Sequence, residues 1–195
     1  MRIIVVGATG TIGKAVADAL EARDHQVLRA SRKGDLPVDI ESPDSIKHMY
    51  EVTGEVDAVV ACVGNAAWKP LTELQDADLT FSIVNKLLGN VNLVRFGVEH
   101  VRDNGVFLLT AGIFSKEPPP GVPAIAMVNG ALESFARGAA KDLPRGIRIN
   151  TVSPPFIKET AEAMGMEGGF PAADNAKTYV ELVEGTQTGQ VVFTG

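Results

Sequence analysis

The chain has 195 residues, 45% of them hydrophobic and 22% charged, the make-up of one globular domain able to bury roughly 70% of the surface its unfolded chain exposes. Its 18 Lys and Arg against 24 Asp and Glu leave a formal charge of −6 with no basic cluster, which argues against nucleic acid or an anionic membrane as partner. A single cysteine, Cys62, excludes an internal disulfide, and no apolar run approaches the ~18 residues of a membrane span. The start lacks the basic, cleavable pattern of a secretory leader, so a cytoplasmic protein is expected. His25, His48 and His100 are scattered without ligand spacing, and no metal site is expected.

The first apolar run, Ile3 to Val6, stops at a glycine. Two more glycines follow at intervals of three in Gly7-Ala8-Thr9-Gly10-Thr11-Ile12-Gly13, and an amphipathic stretch carried by Val16 and Leu20 begins at once. A buried parallel strand that turns tightly into a helix facing a phosphate has this pattern. Glycine permits a positive φ and removes the Cβ atoms that would block a pyrophosphate. The helix start offers unpaired N–H groups and about half a unit of positive charge. Without a ligand, the same residues would make only a tight strand-to-helix turn.

Gln26–Ala30 reads as a second strand, followed by Ser31-Arg32-Lys33-Gly34, and Pro37-Val38-Asp39-Ile40 as a short extended piece. Ser42 and Pro43 make an N-cap and first helical position, and that helix ends near Gly54. Val56–Val63 is a continuous apolar run, the mark of a strand covered on both faces, and closes on Gly64. Cys62 lies inside it and reads as buried filler. A long, bent helical region is expected from Thr72 to about Arg102, then a turn at Asp103-Asn104-Gly105 and a buried strand Val106–Thr110. After a proline-rich loop come a helix over Ala124–Leu143, a strand Ile147–Val152 stopped by Pro154-Pro155, a helix Ala173–Glu184 and a strand Gln190–Phe193. Alternating strands and helices predict a single α/β domain over residues 1–195, a doubly wound parallel sheet with helices on both faces. Gly7, Ser31-Arg32, Gly64, Thr110 and Pro154-Pro155 then fall on one rim, at the carboxyl ends of the strands, where ligands bind in such sheets.

Together these segments resemble the short-chain dehydrogenase/reductase family, with its Rossmann-type sheet, over essentially the whole chain. Gly7-Ala8-Thr9-Gly10-Thr11-Ile12-Gly13 follows the Gly-x-x-Gly-x-x-Gly spacing of the family's extended and atypical branches. Asp39-Ile40 resembles the Asp-aliphatic pair that meets adenine. Ala61-Cys62-Val63-Gly64 stands where the family has Asn-Asn-Ala-Gly and keeps only the glycine. Arg145-Gly146-Ile147-Arg148-Ile149-Asn150-Thr151-Val152-Ser153-Pro154 is similar nearly residue for residue to the family's Arg-Gly-Ile-Arg-Val-Asn-x-Val-x-Pro. The resemblance implies a nicotinamide cofactor held by Gly7, Thr9, Gly10, Thr11, Ile12, Gly13, Ser31, Arg32, Asp39, Ile40, Gly64 and Pro154. Family members that use NAD place an acid at the end of the second strand. This chain has Ser31 there, followed by Arg32 and Lys33, so NADP(H) is expected over NAD(H). Arg32 and Lys33 would otherwise be a solvated turn.

The resemblance fails at the chemistry. The family's Tyr-x-x-x-Lys falls on Ile125 and Asn129, and the two tyrosines present, Tyr50 and Tyr179, are followed four residues on by Gly54 and Val183. Thr110 is the candidate replacement for the family's serine, Asn85 stands near its helix asparagine, and Asn129 is left to bond the nicotinamide ribose. Lys69, beside Trp68, and Lys116 are candidates to approach the substrate rim. Three readings follow: an oxidoreductase acting on an unknown small molecule with a non-standard proton supply, a non-catalytic NADP(H)-binding redox sensor, or a scaffold that keeps the fold and has lost the dinucleotide. The short segment between Pro155 and Ala173, rich in glycine, predicts a pliant lid, which fits an open cleft, a bulky substrate or no small substrate at all. The last strand, at a sheet edge, predicts a homodimer or homotetramer.

Overall fold

Ile3, Ile4, Val5 and Val6 are all fully buried, which requires cover on both faces of the strand they form, β1 (Arg2–Val6). The structure, a computed structural model, describes residues 1–195. Six more strands complete a parallel sheet: β2 (Gln26–Ser31), β3 (Leu36–Pro37), β4 (Val56–Ala61), β5 (Val101–Thr110), β6 (Arg148–Ser153) and β7 (Val191–Phe193). Their spatial order is β3-β2-β1-β4-β5-β6-β7. The chain runs outward from β1 to β3, then returns to lay β4 on the other side of β1. That reversal opens a crevice at the carboxyl ends of β1 and β4.

Alternation along the strands divides the core in two. Ile3, Val5, Val60 and Leu108 face α1 (Thr11–Glu21) and α7 (Ala172–Glu184). Ile4, Val6, Val59 and Phe107 face α2 (Pro43–Thr53), α4 (Gly89–Gly97) and α5 (Pro123–Asp142). At the start of α2 the Ser45 amide donates to the Ser42 hydroxyl at 3.2 Å, as the sequence pattern expects. No helix is long and apolar enough to cross a membrane.

Three expectations need correction. Asp103-Asn104-Gly105 is not a turn but an irregularity inside β5: the register slips between Val56↔Val101 and Ala58↔Val106, with Asn104 at φ 61. The single bent helix after Thr72 is a 3₁₀ turn (Leu71–Glu73), α3 (Asp76–Ser82), a π-helical segment (Ile83–Leu88) and α4. The segment between Pro155 and Ala173 is not bare loop. It carries α6 (Lys158–Ala163) and is tied at its base by the Ile157↔Phe170 bridge, where the Lys158 amide donates to the Phe170 carbonyl at 3.0 Å.

Candidate active site

The three glycines of the first turn have different roles. Gly7 takes φ +85, and a Cβ there would lie 2.3 Å from the Cys62 carbonyl oxygen; a Cβ on Gly13 would lie 2.1 Å from that of Gly7. These two let α1 start directly on the β1–β4 crevice. Gly10, the N-cap of α1, has an ordinary φ of −81, and a Cβ there would meet only the Gly7 oxygen, at 3.4 Å. No side chain caps α1 and no acid sits in its first turn, so the amides around Thr11, Ile12 and Gly13 have the arrangement that takes an anion. The cradle fits a pyrophosphate because a side chain at Gly10 would fill it.

A cavity of about 320 Å³ opens from this turn. Gly7, Thr9, Gly10 and Ile12 form one side; Ser31, Arg32, Asp39 and Ile40 form the end beyond β2 and β3. Gly64, Asn85 and Thr110 border it at β4 and β5. Residues far apart in sequence thus meet on one rim. Arg32 is exposed and makes no ion pair, whereas the Ser31 hydroxyl donates to the Lys33 carbonyl. The Asp39 carboxylate accepts from the Glu41 amide at 3.0 Å. Cys62 also borders the cavity, and burial pushes its thiol up to about 12, leaving no reactive thiolate.

A second cavity, of about 340 Å³, shares Ile12, Gly64, Asn65, Lys86 and Ala111 with the first, so the two form one continuous cleft. Its far wall is aromatic. Trp68 stands edge-on to Phe114 and Phe156 at 6.0 and 5.9 Å, and those two rings stack at 6.3 Å. Ile125 and Asn129, one turn apart on α5, line this cavity together with Pro154. The Glu133 carboxylate accepts from Ser115 at 2.6 Å and Ser153 at 2.7 Å, and the Ile113 amide donates to the Pro154 carbonyl at 2.8 Å. These bonds hold the loop after β5 against the end of β6.

Neither tyrosine reaches the cleft. Tyr50 is fully buried and donates to the Leu93 carbonyl at 2.6 Å; Tyr179 is fully buried against Thr110, hydroxyl to hydroxyl at 2.8 Å. Thr110 therefore does not present its hydroxyl to a reacting group as expected. Strand alternation puts it on the Leu108 face of β5, toward α7. Asn85 is on the cavity wall, accepting from the Asn65 amide at 2.7 Å and donating to Glu41 at 2.6 Å. Asn129 donates to the Gly112 carbonyl at 3.3 Å, and its buried Oδ1 has no partner. The two expected lysines are both engaged: Lys69 with both oxygens of Asp78 at 2.8 Å, Lys116 with Glu117 at 3.5 Å and over the Phe193 ring.

Lys86 is the residue that sequence reasoning passed over. It sits in the π segment, on the shared wall of both cavities, and donates to the Ala111 carbonyl at 3.1 Å. Asn90, fully buried, donates to the Lys86 carbonyl at 2.7 Å and the Val63 carbonyl at 3.2 Å, tying the widened turn to the end of β4. Desolvation pushes the Lys86 ammonium down to about 8. The available signal was a cation inside the apolar run Ile83–Leu88.

A family model described as enoyl-(acyl carrier protein) reductase matches residues 7–191. The glucose and ribitol dehydrogenase homolog 2 of Arabidopsis thaliana is 24% identical over 166 residues, a match covering 75% of this chain but only 57% of that protein. The solved structure of the protein lin1944 from Listeria innocua is 43% identical, with a TM-score of 0.95 over 100% of both chains. A small-chain dehydrogenase solved in complex with NADPH is 25% identical, with a TM-score of 0.89 over 100% of this chain and 96% of that one. Sheet order, glycine turn and matched span agree: the chain belongs to the short-chain dehydrogenase/reductase family of oxidoreductases, which bind nicotinamide cofactors.

Proposed function

We propose that the protein is an NADP(H)-dependent oxidoreductase that passes a hydride between the nicotinamide and a small apolar substrate held among Trp68, Phe114 and Phe156. The charge at the end of β2 carries this reading: Arg32 borders the groove with no carboxylate paired to it, and no acid stands at Ser31 to repel a 2′-phosphate. A guanidinium bonds phosphate oxygens in parallel pairs, each such charged bond contributing about 1.5–3 kcal/mol. The similar small-chain dehydrogenase solved with NADPH supports the same choice.

The bound dinucleotide supplies the hydride; the chain supplies position and exclusion of water. The amides opening α1 hold the pyrophosphate, Arg32 the 2′-phosphate, and Asp39 and Ile40 flank adenine. The unpartnered Oδ1 of Asn129 accepts from a ribose hydroxyl, the role the family gives its lysine, without a positive charge. The aromatic wall, with Ile125 where the family has its tyrosine, selects an apolar substrate and keeps the reacting end dry.

Titration of NADPH and NADH by nucleotide fluorescence tests the reading, with NADPH expected to bind more tightly. Tighter binding of NADH would overturn the cofactor choice. Binding of NADPH without oxidation by any quinone or aldehyde would favour a redox sensor over an enzyme.

A further inference from the structure

Without Tyr-x-x-x-Lys, a reductase of this family has no evident source for the proton that must follow the hydride. The tyrosines are sealed in the core, Thr110 is turned away, and Asn129 carries no acidic proton. Lys86 occupies the needed place. It is the one ionisable side chain among the residues lining the second cavity, where Ile125, Asn129 and the aromatic wall also lie. Its amine is held by the Ala111 carbonyl, next along the chain from the Gly112 carbonyl that holds Asn129. Gly64, at φ +109, is shaped around it: a Cβ there would come within 3.0–3.2 Å of the Lys86 Cα, Cβ and Cγ. Three features of the chain therefore converge on one ammonium: the π segment that carries it, Asn90 that fastens that segment, and Gly64 that clears its stem.

We propose that Lys86 is the proton donor of the reaction, its ammonium facing the carbonyl oxygen of an aromatic aldehyde or ketone seated against Trp68, Phe114 and Phe156. This rests on the reductase reading given above. A hydride delivered to the carbonyl carbon breaks the C=O π bond, and the freed electron pair goes to oxygen. That oxygen takes a proton from the Lys86 nitrogen, leaving a neutral amine that water reprotonates. The carbonyl is reduced to an alcohol and the dinucleotide is oxidised; the net consumption is one hydride and one solvent proton. The other titratable groups on the cleft walls leave the ammonium unpaired. Glu41 is bonded to Asn85, Asp39 to its own loop, the Cys62 thiol stays protonated, and Arg32 sits at the end of the first cavity beyond β2. Desolvation alone brings the amine to about 8, close to the operating range of a general acid.

The test compares wild type, Lys86→Met and Lys86→Arg in NADPH oxidation by 4-nitrobenzaldehyde and by 9,10-phenanthrenequinone. Aldehyde turnover is expected to fall about 10²–10⁴-fold in both variants, because arginine keeps the charge but does not release a proton. Quinone turnover falls far less, since a reduced quinone is a stabilised anion. In wild type, kcat for the aldehyde declines as pH rises through about 8, where the ammonium loses its proton. A second readout needs no cofactor. The unfolded lysine holds its proton to about its ordinary 10.5, the folded one only to about 8, so between these values unfolding takes up a proton and stability rises with pH. The urea midpoint of wild type is therefore expected to gain on that of Lys86→Met between pH 8 and 10. Full aldehyde turnover in Lys86→Arg or Lys86→Met, or a midpoint gap that ignores pH, overturns the proposal alone. A folded wild type that oxidises NADPH with neither acceptor overturns the reductase reading and this proposal with it.

Discussion

The two ends of the cleft are built from different materials. At the glycine-turn end the cleft is lined first by the free backbone amides that open α1, placed by glycines whose missing Cβ atoms let a helix start on a strand turn. At the aromatic end it is lined by side chains: Lys86, Asn129 and three rings brought from three separate loops. The first offers mainly main-chain groups at the turn, with the Arg32 side chain added at its far end. The second has Ile125 and Asn129 on its wall and no tyrosine. A fold of this kind fixes where a cofactor lies more rigidly than it fixes the chemistry beside it.

Substitutions at the glycine turn give the largest expected effects and separate packing from binding. Gly13→Val drives side-chain atoms into the Gly7 carbonyl and is expected to destabilise the fold by about 3 kcal/mol or more, read as a fall in urea midpoint. Gly10→Val costs far less, about 1 kcal/mol for an apolar N-cap, because φ is ordinary and the space open, but weakens NADPH binding by roughly 100-fold through its bulk in the cradle. Equal loss of stability in both variants would break the distinction.

At the aromatic end, Ile125→Tyr with Asn129→Lys in a Lys86→Met background restores the family's pair beside an emptied position. Aldehyde turnover is expected to rise at least about tenfold over Lys86→Met alone, a part of the roughly 10²–10⁴-fold a fully positioned acid contributes. An unchanged rate in the folded triple variant would mean that α5 does not face the reacting carbon.

Smaller effects sharpen the division further. Arg32→Ala is expected to weaken NADPH by about 10–100-fold while leaving NADH as it was, the signature of a lost 2′-phosphate contact. Trp68→Ala, which removes one ring from the aromatic wall, is expected to raise KM for 4-nitrobenzaldehyde by roughly tenfold at most, with NADPH affinity unchanged. A matching loss of NADPH affinity would show that the two ends are not separable.

Periodicity and punctuation were enough to read the seven strands, the helices α1, α2, α5 and α7, and the rim on which Gly7, Arg32, Gly64 and Pro154 meet, but not the π segment before α4 or the helix α6. Each of those signals is local: an apolar run, a glycine interval, a proline stop. The absence of Tyr-x-x-x-Lys was equally plain, since it depends only on which residues follow Tyr50 and Tyr179. The direction of Thr110, the engagement of Lys69 by Asp78 and the isolation of Lys86 were out of reach of such reasoning. Whether a hydroxyl or an ammonium faces a cavity depends on which partners the sheet and helices bring to it from 9 to 69 residues away, as Lys69–Asp78 and Thr110–Tyr179 do. Pattern specifies the elements because backbone geometry repeats; the fate of a single polar group is decided only when all its neighbours have arrived.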